Sequence, residues 1–287
     1  MPTSQQLVVR QPERGLALDR FLTMRLGVSR KQAKRMLDER LVFVNRRRVW
    51  IAHHELKNGD TVEVPATREP EKISPAALRV IHEDAACIVV DKPAGLPTNG
   101  PVSAETQLRA RFPEILPVHR LDRDTSGCLL FARSSEAQAN LEKQFEDRTV
   151  DKLYQAIAIG LFPLTLTRME RPVGGLTALT EFKLLRRNPV ASHIEAHPRT
   201  GRTHQIRVHL QAAGFPLAGD RAYATRAVKE DILREMPRQM LHAWRLVWRD
   251  PLTGDMRRAQ ATPPNDFRDA LVALKLVSAR ATRGGGK

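Results

Sequence analysis

The chain has 287 residues, 41% of them hydrophobic, which is enough for one large domain or a large and a small one. Its 47 Lys and Arg against 32 Asp and Glu give a formal net charge of +15, which favours nucleic acid as a partner over an acidic membrane surface. We expect neither a spanning helix nor a signal peptide, because no apolar run is long enough. The two cysteines have apolar neighbours, which predicts buried thiols in a reducing cytoplasm.

The first part of the chain has the pattern of a small module. Residues 1–14 are polar, and we expect a flexible terminus there. In residues 15–65, "LDRFLTMRL" has helical spacing, and "RKQAKRMLDER" follows Ser29 as a second predicted helix. The segments "LVFVN", "RVWIA" and "TVEV" then predict strands, joined by turns at Asn45–Arg47 and Asn58–Asp60.

The second predicted helix and the hairpin after it are strongly basic. From Ser29 to Arg48 there are eight Lys and Arg but two acids. A surface with one sign of charge suits phosphate groups, although a solvated charged face stays open as the simpler alternative. The residues that we expect to bind RNA are Arg30, Lys31, Lys34, Arg35, Arg46, Arg47 and Arg48.

The same segment resembles the RNA-binding domain named after small-subunit ribosomal protein S4. That family has the pattern "SR..A..LI..G.V.VNG..V", and this chain reads "SRKQAKRMLDERLVFVNRRRV". Arg40 stands where the family usually has glycine, and Arg46 where it often has glycine or aspartate. The resemblance implies a small N-terminal S4-like domain that binds RNA.

A change in composition separates this module from the rest of the chain. Residues 66–77 mix Pro, Glu, Lys and Ser, which is typical of a linker. Residues 78–275 contain many short strand patterns and few helical ones, which predicts an α+β domain with a mixed or antiparallel sheet. Residues 276–287 are basic and rich in glycine, and we expect a disordered tail.

Three stretches of this larger domain carry reactive side chains. In "HRLDRDTSGCLLFA", Asp122 precedes an apolar strand, so it should lie at the edge of the core and need a cationic partner. In "PRTGRTHQIRVHL", Gly201 permits a tight turn, and His204 and Arg207 should share a helix face. In "DKLYQAIAIG", Lys152 and Tyr154 should point to one face of a strand. Taken singly, each stretch also fits plain packing or a structural ion pair.

Taken together, these motifs resemble the pseudouridine synthases of the RluA type. The matching segments are "DKPAGL", "HRLDRDTSG", "KLYQA", "GRTHQIRVHL", "LAGDRAY" and "LHAWRL", in that order. The resemblance runs from about Leu78 to Phe267. The segment "TRMERPVGGLTALT" departs from the family pattern, because it lacks the usual lysine before its "A.T" element.

The resemblance implies a role for each matching residue. Asp122 would be the catalytic carboxylate, either as a nucleophile or as a base that removes a ribose proton. Arg207 would pair with it, Tyr154 would stack on the uracil, and Arg120 would help to hold a flipped nucleotide. His119, Lys152 and His204 are further candidates for binding substrate. The family reaction implies no cofactor and no metal.

RNA is therefore the expected partner, and isomerisation of uridine to pseudouridine is the expected reaction. Large-subunit ribosomal RNA is the first choice of substrate, and transfer RNA is the second. We expect a monomer that acts in the cytoplasm without a membrane. A non-catalytic protein for RNA binding or ribosome assembly is the main alternative, and the presence of Asp122, Tyr154 and Arg207 argues against it. The small-subunit type of synthase is a further alternative. It usually has glycine where this chain has His119, so His119 argues against that type.

Overall fold

The computed structural model describes residues 4–26, 28, 33–34, 36–37, 42–49, 51–65, 78–224, 233 and 236–277. The chain divides into two compact units, Met1–Pro75 and Ala76–Lys287, here called the N-terminal and C-terminal units. The linker predicted at residues 66–77 spans this division and lies outside the described residues. In the ranges given above, no helix is both long and apolar enough to span a bilayer.

The N-terminal unit contains a four-stranded antiparallel sheet. Its strands are β1 (Ser4–Val8), β2 (Phe43–Val44), β3 (Arg47–Arg48) and β4 (Thr61–Pro65), in the order β1-β4-β2-β3. The prediction of a flexible terminus at residues 1–14 is wrong for residues 4–13, because β1 pairs with β4 and Gln11–Glu13 form a short 3-10 helix. Leu7 and Val9 are buried in the core of the N-terminal unit, and their burial stabilises the pairing of this otherwise polar segment with the sheet.

Helix α1 (Leu18–Leu26) coincides with the helix predicted from the spacing of its leucines. Leu18, Phe21 and Leu22 are buried in the core of the N-terminal unit. They pack with side chains of the sheet, which is what an amphipathic helix requires for stability. Described positions of the second predicted helix, such as Lys34, are also helical.

The hairpin between β2 and β3 turns at two residues in the left-handed conformation. Asn45 and Arg46 have φ values of 50° and 63°, as in the two-residue turns that suit twisted strands. The Asn45 amide donates to Asp60 Oδ1 over 2.8 Å, and its oxygen accepts from the N–H of Thr61 over 2.9 Å. These two bonds stabilise the exposed turn. Arg46 adopts the left-handed conformation there, although it lacks the backbone freedom of the glycine that the S4 family often has at this position.

The residues predicted to bind RNA are only partly described. Lys34 and Arg46 are exposed, which is compatible with phosphate contacts. Arg47 and Arg48 form β3, but their side chains are outside the described set, as are the whole residues Arg30, Lys31 and Arg35.

The C-terminal unit is built on one ten-stranded sheet. Its strands are β5 (Arg79–Glu83), β6 (Cys87–Lys92), β7 (Leu116–Pro117), β8 (Ser126–Ala132), β9 (Asp151–Ile159), β10 (Arg168–Glu170), β11 (Leu179–Arg187), β12 (Ala191–Pro198), β13 (Leu241–Arg249) and β14 (Met256–Gln260). Eight of them run in the order β10-β11-β12-β9-β13-β8-β6-β5, while β14 pairs with β13 and β7 with β8. The pair β13–β8 is parallel and the others are antiparallel, so the predicted α+β class with a mixed sheet is confirmed.

Helices cover the sheet, and its central strands are buried on both faces. The helices are α2 (Ala104–Arg109), α3 (Ser135–Glu146), α4 (Gln205–Ala212) and α5 (Asn265–Ala273). On β6, Cys87 and Val89 pack in one core cluster with residues of α3, whereas Ile88 and Val90 pack in another with residues of α2. All seven residues of β8 are buried, which explains the continuous apolar run "CLLFA" after Asp122.

The end of the folded unit lies beyond the boundary expected from the sequence. Leu276 is 1% exposed and Val277 packs against the cluster that contains α5, so the predicted tail at 276–287 is wrong for these two residues. The remaining residues of that segment are outside the described set. Both cysteines are buried free thiols, as predicted, and burial raises the pKa of Cys128 to about 12.

Gly127 lies where β8 passes close to β13, and no other residue fits there. It has a φ of +112°, and an added Cβ would lie 2.2 Å from the carbonyl oxygen of Ala243. We expect Gly127→Ala to lower the free energy of unfolding by at least about 2 kcal/mol, because it combines backbone strain with a clash against backbone. Urea denaturation measures this change. Gly201→Ala is the control, since Gly201 has open space around its Cβ position and no positive φ, and an equal loss in both variants would contradict the argument.

Candidate active site

The loop that carries Asp122 lies between β7 and β8 and is fixed by hydrogen bonds at both ends. The N–H of Leu121 donates to Thr98 Oγ1 over 3.0 Å, and the Thr98 hydroxyl donates back to the Leu121 carbonyl over 2.9 Å. Beyond the carboxylate, the N–H of Thr125 donates to the carbonyl of Asp122 over 3.1 Å. The buried strand β8 begins at the next residue, so the loop is continuous with the core.

A fully buried lysine supports the same loop from below. Lys92, the lysine of "DKPAGL", donates from Nζ to the carbonyl oxygens of Pro93, Leu96 and Arg123 over 3.0, 2.7 and 2.9 Å. These bonds use all three N–H groups of an ammonium ion. Because Arg123 adjoins Asp122, Lys92 fixes the backbone beside the carboxylate without touching it.

Arg207 joins two carboxylates through one guanidinium group. Its Nε and one terminal nitrogen donate to the two oxygens of Asp220 over 2.7 and 2.9 Å, and the other terminal nitrogen donates to Asp122 Oδ2 over 3.2 Å. Asp220 is 1% exposed, whereas the Asp122 side chain keeps 23% of its surface exposed. The buried bidentate pair therefore orients Arg207, and the guanidinium in turn orients the accessible carboxylate.

His204 reaches the other oxygen of Asp122 from just before α4. Its Nε2 lies 3.7 Å from Asp122 Oδ1, and its Nδ1 lies 3.0 Å from the hydroxyl of Tyr223. The prediction that His204 shares a helix face with Arg207 is wrong, because His204 has a φ of 57° and precedes the helix. The left-handed residue of this loop is His204 rather than Gly201.

The loop before α4 is held by one buried amide. Gln205 accepts at its oxygen from the Thr200 hydroxyl and from the N–H of Arg202. Its nitrogen donates to the Leu179 carbonyl and to Thr180 Oγ1 over 2.9 and 3.0 Å. A buried amide with every polar atom bonded allows one arrangement of the loop, so the position of the histidine before it is preorganised.

Strand β9 contributes an aromatic ring and an ammonium group to the same place. Tyr154 and Lys152 lie on one side of the strand, as their spacing predicts, and both line the cavity described below. Burial, with a contribution from the charge of Asp122, raises the pKa of Tyr154, so its phenol stays protonated at neutral pH. Lys152 Nζ donates to the Thr200 carbonyl at 3.4 Å and lies 5.7 Å from the centre of the Phe145 ring.

His119 is built into the wall of the site. Its Nε2 accepts from the N–H of Leu130 on β8 over 3.0 Å, and its ring stacks on Phe145 with 4.8 Å between the ring centres. Burial, followed by the charge of Lys152, lowers the pKa of His119 to about 3. The imidazole is therefore neutral near pH 7, and it links the Asp122 loop to the core.

One cavity of about 410 Å³ brings the predicted residues together. It combines a carboxylate held by a cation, a protonated phenol and further cations at the rim, of which Arg120 is exposed. All seven residues that the sequence predicts to be catalytic or to bind substrate line this cavity. They are His119, Arg120, Asp122, Lys152, Tyr154, His204 and Arg207.

Sequence reasoning missed several groups that shape this cavity. Asp220 stands inside the quoted motif "LAGDRAY", but nothing in its neighbours shows that it reaches Arg207. Gln205 and Lys92 also lie inside quoted motifs, and their polar atoms bond to segments distant in the chain. Thr125 lines the cavity, and its buried hydroxyl has no hydrogen-bond partner among the described residues.

Comparison with known proteins shows the family to which the chain belongs. Residues 86–212 match the family described as RNA pseudouridylate synthase, and residues 18–62 match the S4 domain. The chain is 32% identical to ribosomal large subunit pseudouridine synthase C of Salmonella typhi, over 96% of this chain and 98% of that protein. The chain belongs to the RNA pseudouridylate synthase family. Both resemblances read from the sequence motifs are thereby confirmed.

Other similar proteins agree with this family. The chain is 37% identical to ribosomal large subunit pseudouridine synthase D of Neisseria meningitidis serogroup B, over 70% of this chain and 62% of that protein. Among solved structures, human RNA pseudouridylate synthase domain containing 4 matches with a TM-score of 0.60 and 21% identity, over 72% of this chain and 95% of that chain. At that identity the structural match supports the shared fold.

Proposed function

We propose that this pseudouridine synthase isomerises specific uridines of large-subunit ribosomal RNA, with Asp122 as its catalytic carboxylate. The observation that carries the proposal is the ion pair of Arg207 with Asp122 in a cavity that also contains Tyr154. An aromatic ring beside a carboxylate suits a flipped base, because the ring can stack on uracil while the carboxylate approaches the sugar. The neutral phenol of Tyr154 can also exchange a proton with the base.

The substrate assignment rests on two features. The relatives at 32–37% identity are named for the large ribosomal subunit, and one of them aligns with nearly the whole chain. The S4 domain supplies exposed Lys34 and Arg46, and together with the net charge of +15 it fits a large polyanion. We place this activity in the cytoplasm, in a monomer.

The other residues of the cavity have supporting roles in this proposal. Arg120 is exposed at the rim, where it can contact the RNA around a flipped uridine and help to hold the base out. Lys152 faces the substrate from the wall. His204 helps to orient Asp122, because it lies next to Oδ1 of the carboxylate while Arg207 bonds to Oδ2. His119 acts through the loop, since its acceptor nitrogen is already bonded.

Mapping of pseudouridine in cellular RNA tests the proposal directly. Large-subunit ribosomal RNA and transfer RNA are mapped from cells with and without the gene, and from cells that express the Asp122→Asn variant. We expect the signal to disappear at specific ribosomal uridines in both the deletion and the variant. Lost sites in transfer RNA alone would move the substrate to that class. An unchanged map, with tight RNA binding by the purified protein, would favour a non-catalytic role.

The charge of Lys152 predicts a dependence of RNA binding on pH. Burial, followed by repulsion from Arg148, lowers the pKa of Lys152 to about 8. The side chain is cationic below that value and neutral above it, so RNA affinity should weaken by about 3- to 10-fold as the pH rises from 7 to 9. Fluorescence anisotropy measures the affinity. Lys152→Arg is the matched control, because arginine keeps its charge, and a similar loss in both proteins would contradict the role of Lys152.

A further inference from the structure

A second cavity lies directly beside the catalytic one in the C-terminal unit. It measures about 630 Å³, and its walls include Arg171, Leu176 and Tyr223. The loop before α4 separates the two cavities, and the four residues from Gly201 to His204 line both of them. An RNA strand with one nucleotide in the catalytic cavity therefore has its neighbours within reach of the second one.

We propose that this second cavity receives a nucleotide next to the target uridine and so reads the RNA around the modification site. The proposal rests on the function proposed above. It assigns a role to the segment "RPVGGL", which departs from the family pattern, lies outside the catalytic group and is exposed except at the buried Val173.

The chemistry of the lining favours a single-stranded nucleotide. Arg171 and Arg202 supply two cations for a phosphate, and none of the described lining residues is acidic. Tyr223 and the 55%-exposed Leu176 supply flat and apolar surface for a base. The amide of Gln211 and the hydroxyl of Thr203 add hydrogen-bonding groups for base edges, as in proteins that read unpaired RNA.

The walls of this cavity are already in place. Arg202 Nε donates to the Thr177 carbonyl over 3.2 Å, which holds the loop against the segment after β10. On the same side, buried His209 lies 2.8 Å from the Arg171 carbonyl, and its other ring nitrogen lies 2.9 Å from Thr180 Oγ1. A site whose supports are bonded in this way loses little conformational entropy when a nucleotide binds.

A compact turn forms the outer edge of the cavity. Val173 and Leu176 exchange two backbone hydrogen bonds, and Gly174 and Gly175 between them have φ values of 60° and 77°. This turn places Leu176 at the surface without a flexible loop. Leu176 is therefore suited to contact a base, and it can be changed without disturbing the core.

The second cavity also touches the groups that hold the catalytic carboxylate. Tyr223 bonds to His204 on one side, and the Arg207 guanidinium carbon lies 4.9 Å from the centre of the Tyr223 ring on the other. Both of these partners contact Asp122. A nucleotide seated against Tyr223 would therefore pack on the residue that supports the catalytic ion pair.

Two variants that change only the second cavity test the proposal. Arg171→Ala removes a cation, and Leu176→Glu places a negative charge where a phosphate or base would lie. Their controls are Arg258→Ala and Leu252→Glu, which make the same changes in net charge at exposed positions that line neither cavity. The probes are a fluorescein-labelled oligouridylate for affinity and the RNA fragment spanning the mapped uridine for turnover.

We expect Arg171→Ala to raise KM and the dissociation constant about 5-fold, with kcat little changed. The slope of log affinity against log salt concentration should become smaller by about one, because one phosphate contact is lost. Leu176→Glu should raise both constants about 10-fold or more. An abasic nucleotide beside the uridine should weaken binding to the wild type but add little to the defect of Leu176→Glu.

The outcomes separate the two proposals. Variants that match their controls in affinity, KM and salt dependence would overturn the second cavity as a nucleotide site, while the synthase activity would stand. A wild-type protein that binds RNA but forms no pseudouridine would contradict the proposed function. The RNA affinities of the two variants and their controls would still show whether the second cavity binds a nucleotide.

Discussion

Replacement of Asp122 by asparagine should abolish pseudouridine formation and leave RNA binding within about 3-fold of the wild type. The amide keeps the shape of the side chain and a contact for Arg207, but it is neither a nucleophile nor a base. Loss of such a group costs on the order of 10⁴-fold or more in kcat. Single-turnover assays on the mapped RNA fragment measure the loss, and anisotropy measures binding.

Asp124→Asn is the matched control for this experiment. Asp124 lies in the same loop two residues later, so its replacement removes the same charge from the same segment. We expect its kcat to stay within about 10-fold of the wild type, because Asp124 does not line the cavity that contains Asp122. Retained turnover in Asp122→Asn, or equal losses in the two variants, would remove Asp122 from its catalytic role.

Replacement of Asp220 by asparagine should damage both stability and catalysis, although Asp220 does not line the cavity that contains Asp122. Asp220 holds Arg207 by two hydrogen bonds and accepts from the N–H groups of Ala222 and Tyr223. Loss of its charge leaves a buried guanidinium without its main partner, which should cost about 3–5 kcal/mol in the free energy of unfolding. A misplaced Arg207 should also lower kcat on the order of 10²-fold.

Asp250→Asn separates the catalytic effect from the loss of stability. Asp250 is also buried, accepts from two backbone N–H groups, at Leu252 and Thr253, and pairs with one arginine, Arg257. Its replacement should destabilise the C-terminal unit in the same manner but leave kcat of the folded enzyme unchanged. Urea denaturation and turnover well below the thermal transition are measured for both variants. Equal kcat in the two would show that Asp220 only stabilises the fold.

The local pattern of the sequence was sufficient to predict most of the helices and strands. The helix at Leu18–Leu26 follows from the helical spacing of its apolar residues. The strand at Asp151–Ile159 ends in the apolar run Ala156–Ile159, which is typical of a strand buried on both faces. The same reasoning failed at Ser4–Val8, where a polar strand is stabilised by pairing with β4 at the far end of the module. It also placed the end of the folded unit before Leu276, whose burial depends on α5 and its neighbours.

The reactive residues could be named from motifs, but their arrangement could not. Asp122, Tyr154 and Arg207 stand in segments that any reader of the family pattern would select. The bridge from Arg207 to Asp220, the left-handed conformation of His204 and the bonds of Gln205 join parts of the chain whose separation in sequence says nothing of their distance. The bonds of Gln205 need β11 beside the start of α4, and the bridge from Arg207 needs the segment with Asp220 beside the same helix.

By itself, the sequence determined the class of fold and, through its motifs, the S4 domain and the family, because these depend on residue types and their order along the chain. The family resemblance also proposed Asp122 as the catalytic carboxylate. The family resemblance named Arg207 as the partner of Asp122, but only the tertiary structure shows why Arg207, rather than Arg120 or Arg123, pairs with this carboxylate. Arg120 is exposed, Arg123 donates to the carbonyl of Gly95, and Arg207 alone of these three is held against the carboxylate by a buried partner. That choice depends on burial and on contacts between distant segments, which become definite only when the chain is folded.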